Sequence, residues 1–233
     1  SITSGVRECQ GPEIEAKGLS KVLYDVELPL VEVLASMEVY GVRADKEFID
    51  RFGEQLKEKI QLLELQIYDL AGTQFNINSP AQLGDILFEK LKLPSGKKTK
   101  RGYSTSADIL EKIKDKHPIV PAVLEYRNLS KLNSTYVEGL KPLIAPDGRI
   151  HAHFQQTVTA TGRISCTEPN LQNIPIRQEL GRKLRSAFEA EDGYTLVGAD
   201  YSQIELRVLA HLSQDESLID AFNNGEDIHR MTA

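Results

Sequence analysis

A chain of 233 residues is long enough for one large domain or two small ones with real cores, and its 40% hydrophobic and 27% charged content are those of a globular protein. No stretch reaches the roughly 20 consecutive apolar residues of a membrane span, and two cysteines, Cys9 and Cys166, indicate neither a disulfide framework nor a four-ligand zinc site. Net charge of −6 argues against a polyanionic partner, yet Lys97-Lys98-Thr99-Lys100-Arg101 and the set Arg177, Arg182, Lys183 and Arg185 are basic clusters that permit nucleic acid without requiring it.

Residues 1–22 are polar and read as a linker or the end of a preceding domain, without the apolar core of a signal peptide; a cytoplasmic protein is expected. From Tyr24 to Glu38, apolar residues Val26, Leu30, Val33, Leu34 and Met37 recur at helical spacing, and Gly41 ends that helix. Asp45 is suited to cap a long helix to about Leu70, with Phe48, Phe52, Leu56, Ile60, Leu63, Ile67 and Leu70 on one stripe and Gly72 closing it. Ser79-Pro80 starts a helix running to about Leu91, a Gly/Lys/Ser-rich loop follows, and Thr105 can cap a short helix. Another long helix fits Val123 to about Leu140.

After Pro146-Asp147-Gly148 the pattern changes. Ile150–Val158 alternates as a strand, Arg177–Phe188 reads as a short basic helix, and Tyr194–Ala199 as an apolar β-branched strand. Gln203–Leu212 is helical and apolar enough to be largely buried, and Glu216–Asn223 is a last helix ended by Asn224-Gly225. The division falls near residue 146, with an elongated helical part (23–146) before a mixed part (147–233). His151 and His153 share a strand face at a metal-compatible spacing, but no third ligand lies nearby in sequence, and they read as ordinary strand residues.

A strand ending in Asp200 and followed directly by a helix is a way to present an acid at a sheet edge; equally, Asp200 can simply cap the helix. Glu205 in the first helical turn is what the helix dipole favours anyway. Asp200-Tyr201-Ser202-Gln203-Ile204-Glu205-Leu206-Arg207, however, resembles the first catalytic motif of the family-A DNA polymerases at all eight positions. Thr159-Ala160-Thr161-Gly162-Arg163 and Pro169-Asn170-Leu171-Gln172-Asn173-Ile174-Pro175 resemble a second family segment, in the right order, with Asp200 standing 25 residues after Pro175. Tyr126-Arg127 and Lys131-Leu132-Asn133-Ser134-Thr135-Tyr136 resemble the family's thumb helix, and 75–83 with 97–106 its tip.

The resemblance implies an α+β fold, a helical thumb followed by a partial palm with an antiparallel sheet and flanking helices. It implies a template-directed DNA polymerase of replication and repair, adding deoxynucleotides to a primer end with two Mg2+ ions held by Asp200 and the Tyr201 carbonyl. Glu205 would exclude the ribose 2′-hydroxyl, with Gln203, His229 and Arg177 at the incoming nucleotide. Arg127, Lys131, Ser134 and Thr135 would contact phosphates of primer-template DNA. Arg163, Asn170, Gln172 and Asn173 would read pairing geometry in the minor groove, where acceptors sit alike in every base pair. Ile164 and Cys166 stand where Leu and Ser are usual, and Asn133 where Lys is common. The family's fingers helix and second carboxylate motif are not among these 233 residues, so the chain alone is expected to be inactive. The expected assembly is a monomer without membrane contact. The rival readings are a non-catalytic DNA-binding module and a Mg2+-dependent nuclease built on Asp200 and Glu205.

Overall fold

The computed structural model describes residues 2–94, 102–176 and 179–225. Asp45 is extended, and its carboxylate accepts from the Phe48 amide at 2.9 Å. This closes the N-terminus of α3, Lys46–Ala71, and Gly72 in the left-handed region ends it. The stripe of α3 packs at two levels against α6, Ile119–Lys131. Phe48, Phe52 and Leu56 join a lower core with Leu129, Tyr136, Ile150 and Leu184; Ile67 and Leu70 join an upper one with Leu83, Leu110 and Val123. Ile60 and Leu63 touch both. With a fully buried Leu or Ile contributing about 1.5–3 kcal/mol, this pair of helices is the spine of the larger unit.

The Ser79 hydroxyl accepts from the Gln82 amide and Pro80 opens α4, Pro80–Gly84, which a π-turn over Asp85–Lys90 carries on to Leu91 as expected. Thr105 does not cap α5, Ala107–Lys112. Ser106 holds the cap position, without a side-chain bond, and Thr105 is buried against Arg127. The long helix expected to Leu140 is α6, a π-turn over Leu132–Val137, α7 at Glu138–Leu140 and a 3₁₀ turn at Lys141–Leu143.

Near the other end, within the stretch 1–22 that reads as a linker or the end of a preceding domain, α1 spans Ile2–Ala16, with its described residues nearly all exposed. The helix expected over Tyr24–Glu38 is a π-turn at Val22–Glu27 followed by α2, Leu28–Tyr40; of its apolar face Leu34 is buried, whereas Val26, Val33 and Met37 are exposed.

β1, Val42–Ala44, is the middle strand of an antiparallel sheet between β2, Arg149–Ile150, and β5, Phe188–Glu189. The strand expected over Ile150–Val158 is broken in two because its partner changes: β2 pairs with β1, whereas β3, His153–Gln155, pairs with β4, Ser165–Thr167. The basic helix α8, Glu179–Arg185, stops short of Phe188, which pairs with Ala44.

Residues 1–192 and 193–233 are two compact units. In the second, α9, Ile204–Ser213, packs on α10, Glu216–Asn224, with Ala210 and Ala221 buried. Two expectations fail here. Tyr194–Ala199 forms no strand: it has no ladder partner among the described residues, and Val197 is 88% exposed. Apolar β-branched composition cannot substitute for backbone pairing. α9 is not largely buried either, since Ile204, Val208, Leu209 and Leu212 are exposed and only Ala210 is buried. The whole is α+β, mostly helical with small antiparallel sheets. Among the described residues no helix is long and apolar enough to cross a membrane.

Candidate nucleic-acid interface

Lys131 ends α6, where the π-turn begins, and the wider turn carries Ser134 and Thr135, both exposed, while Leu132, Tyr136 and Val137 are buried in the lower core. Across from them lies the Asn/Pro loop. Asn170 caps a short 3₁₀ turn over Leu171–Asn173, its Oδ1 accepting from the Gln172 amide at 3.1 Å, and the Gln172 amide group donates to the Ile164 carbonyl at 3.4 Å. The Tyr136 hydroxyl donates to the Asn173 carbonyl and ties loop to helix. Between them is a cleft of about 410 Å³ lined by Lys131, Thr135, Tyr136, Leu140, Pro169, Asn170, Asn173 and Ile174. Two of the expected phosphate contacts thus face two of the expected groove-reading amides. Arg163 sits exposed on the turn before β4, where the Thr159 hydroxyl donates to its carbonyl. Gly181 on α8 backs the loop; a Cβ there would meet the Pro175 carbonyl oxygen at 2.7 Å.

Arg127 differs from its neighbours. One Nη donates to the Thr105 carbonyl and the other to the Thr105 hydroxyl at 3.0 Å, and burial pulls the guanidinium below its ordinary value. It lies at a second cleft, of about 620 Å³, lined with Asn78, Tyr103, Ser104, Thr105 and Ser106. Its first task is therefore to hold the loop before α5, and this structural role went unseen in the sequence.

In the second unit Asp200, Tyr201, Gln203 and Glu205 are all exposed, so Asp200 is not turned into packed interior. Gln203 occupies the cap position of α9 with φ 53° and ψ 37°, and no side-chain bond caps the helix there. Asp200 is therefore not its N-cap. Arg177 and His229 lie outside the described residues, as does the cluster 97–101.

A family model described as DNA polymerase family A matches residues 46–233. The chain belongs to that family. It is 57% identical over 212 residues to DNA polymerase I of Lactococcus lactis subsp. cremoris, covering 91% of this chain and 24% of that protein. It is 53% identical over 230 residues to DNA polymerase I of Bacillus subtilis, covering 98% and 26%. The POL domain of Pol1 from M. smegmatis, solved in complex with DNA primer-template and dNTP, matches with a TM-score of 0.86 at 44% identity, over 94% of this chain and 39% of that one. The chain thus spans about a quarter of the length of the curated relatives it matches.

In this family-A segment the residues that the motif reading overlooked are those that join distant stretches. Tyr136 is one, and its place inside the Lys131–Tyr136 motif was the available signal. The junction of α2 with the sheet is another. The Glu38 carboxylate accepts from the Phe154 amide at 2.6 Å and faces His153 at 3.4 Å, contacts that hold it below its ordinary value. His151 sits between the Glu38 carbonyl at 2.7 Å and Asp147 at 3.1 Å; those two oxygens raise its pKa. Arg149 stacks 4.4 Å over Tyr40 and pairs with Glu191 at 2.9 Å. Nothing in the local sequence pattern announces this junction, because Glu38 lies more than 100 positions from both histidines.

Proposed function

We propose that this chain is the duplex-gripping and acid-bearing portion of a template-directed DNA polymerase, with residues 23–146 as thumb and 147–233 as the first part of the palm. The reading rests on the cleft in which Lys131 and Thr135 of one helix face Asn170 and Asn173 of one loop. A cation and hydroxyls suit phosphate oxygens, and amides suit minor-groove edges, whose acceptors barely change between base pairs. An enzyme that copies any template needs both. The M. smegmatis relative was solved with primer-template and dNTP, and primer-template DNA and deoxynucleoside triphosphates are the partners proposed here. The setting would be a cytoplasmic monomer acting in replication and repair.

Ser134 joins Lys131 and Thr135 on the phosphate side, with Arg127 as a further, partly committed cation. Arg163 and Gln172 extend the amide side. At the nucleotide, Glu205 would exclude a ribose 2′-hydroxyl, flanked by Gln203, His229 and Arg177. The Asp200 carboxylate and Tyr201 carbonyl are hard oxygen donors on an exposed turn, the donor type Mg2+ prefers. Among the described residues no group of three or more His, Cys, Asp or Glu gathers to hold an ion, so further ligands would come from other parts of the polymerase. When bound, a pair of Mg2+ ions stabilises charge on the attacking and leaving oxygens.

The test is titration of the chain with fluorescent primer-template at several salt concentrations. Affinity should be indifferent to sequence, and Lys131→Ala should weaken all duplexes alike while lowering the salt slope by about 0.9. An unchanged slope, or a loss confined to some sequences, would sink the assignment.

A further inference from the structure

Within the segment 200–207 the sole basic residue is Arg207, and the chemistry described above gives it no task. Its Nε donates to the Ser202 carbonyl at 3.0 Å, and its guanidinium lies 4.5 Å over the ring of Phe222 on α10. Its own amide donates to the Gln203 carbonyl at 3.1 Å. Between those two carbonyls the chain turns left-handed at Gln203, a residue with a Cβ, and no side chain caps the helix that begins there. A left-handed backbone at such a residue persists only where its surroundings hold it. Arg207 reaches the turn by two routes, main chain and side chain, and is itself anchored on another helix.

We propose that Arg207 is a positioning residue that clamps the 200–205 turn to α10, with Phe222 as its anchor, and so sets how Asp200, Tyr201 and Glu205 are presented. This rests on the reading of Asp200 and Glu205 given above. The residue type fits the task. Guanidinium can donate in its plane through Nε while its face stacks on an aromatic ring, whereas a lysine ammonium has no planar face to stack and no donor held in that plane. Although the side chain is exposed, its Nε and one face are committed within the protein, unlike a cation kept for phosphate.

Two measurements test the clamp. On the 233-residue chain without metal, hydrogen exchange of peptides covering 200–212 is compared for wild type, Arg207→Lys, Phe222→Leu and Phe222→Tyr. Both Arg207→Lys and Phe222→Leu should speed exchange in the first turn of α9 about tenfold with α3 unaffected, and Phe222→Tyr, which keeps a ring, should restore protection. In the intact polymerase carrying this segment, Arg207→Lys should lower kcat about tenfold and leave KM for primer-template and the salt slope of DNA binding unchanged. Unaltered exchange in all three variants, or a salt slope reduced by about one unit for Arg207→Lys, would overturn the clamp. An Asp200→Asn control separates the two ideas: full activity of that variant would remove the reading on which the clamp rests, whereas its inactivity beside normal exchange in Arg207→Lys would remove the clamp alone.

Discussion

Arg127 has two possible employers, the Thr105 loop and a DNA phosphate, and Arg127→Met distinguishes them. Methionine keeps most of the apolar stem and removes every donor, leaving the Thr105 carbonyl and hydroxyl with no arginine to bond. Thr105 is 5% exposed, so water cannot readily take the place of the lost donors. Hydrogen bonds to a charged donor contribute about 1.5–3 kcal/mol each. Against this stands the cost of holding a guanidinium away from water, visible in its lowered pKa, a cost that methionine does not carry. Burial cancels part of the gain, and a net loss of about 2–4 kcal/mol remains. At about 2–4 °C per kcal/mol for a chain of this size, Tm should fall by about 4–16 °C. Thr105→Val, which keeps the carbonyl and loses only the hydroxyl, should give a smaller loss, and the double variant should lose less than the sum, because both changes remove the bond to that hydroxyl. The assays are thermal unfolding by circular dichroism and the salt dependence of duplex binding. If Arg127→Met leaves Tm within a degree of wild type and reduces the salt slope by about one unit, the loop-holding role is wrong and the residue works on phosphate.

Three further outcomes follow from particular contacts. Gly181→Ala would ordinarily stabilise a helix by about 1 kcal/mol, but a Cβ 2.7 Å from the Pro175 carbonyl oxygen forces the Asn/Pro loop to move. Overpacking should win, with a loss of about 1–3 kcal/mol and weaker duplex binding; a raised Tm would show that the contact is slack. His151 has a raised pKa, so its contribution is complete below its ordinary value of 6.5 and is lost as pH rises through the higher folded value, whereas Glu38 and Asp147, both lowered, contribute above 4.5 and 3.8 and lose this as pH falls through their folded values. The junction of α2 with the sheet should therefore be firmest between those limits, and His151→Gln should flatten the fall of Tm from pH 6 to 8; a profile parallel to wild type would exclude it. Asp200→Asn in the intact polymerase should cut the rate by orders of magnitude at unchanged DNA affinity, measured by single-turnover primer extension, and a normal rate would end the metal assignment.

What the sequence discloses and what it hides divide along a physical line. Asp45, Ser79 and Gly72 act on backbone groups within four residues of themselves, so their caps could be read directly, and so could the stripe of α3. Signals that need a partner do not carry that partner with them. Tyr194–Ala199 has strand composition but no neighbour to bond among the described residues, and Ile150–Val158 splits because its two halves bond to different strands. Thr105 has the residue type of a cap, yet Arg127, 22 positions away, claims it. The apolar content of α9 speaks only of what a helix can bury and not of what is there to cover it.

The candidate interface lies between these cases. Its two halves, Lys131–Tyr136 and Pro169–Pro175, were legible as motifs because each is a short run whose residue types suit one ligand chemistry. Their meeting was not legible, since it depends on the Tyr136 hydroxyl reaching the Asn173 carbonyl over 37 positions and on Pro175 seated against a residue with no side chain. Both joints would keep the amides proposed to read the groove at a fixed distance from the cation proposed to bind phosphate, and duplex DNA fixes the distance between its own phosphates and groove edges in the same way. Loosening either joint should therefore weaken duplex binding more than single-strand binding, because a single strand can follow a displaced loop and a duplex cannot. Tyr136→Phe is the gentlest way to loosen it: one hydrogen bond worth about 0.5–1.5 kcal/mol is removed, no cavity is made, and none of the side chains proposed as DNA contacts is altered. A parallel loss for single and double strands would mean that the cleft does not act as a gauge of duplex geometry.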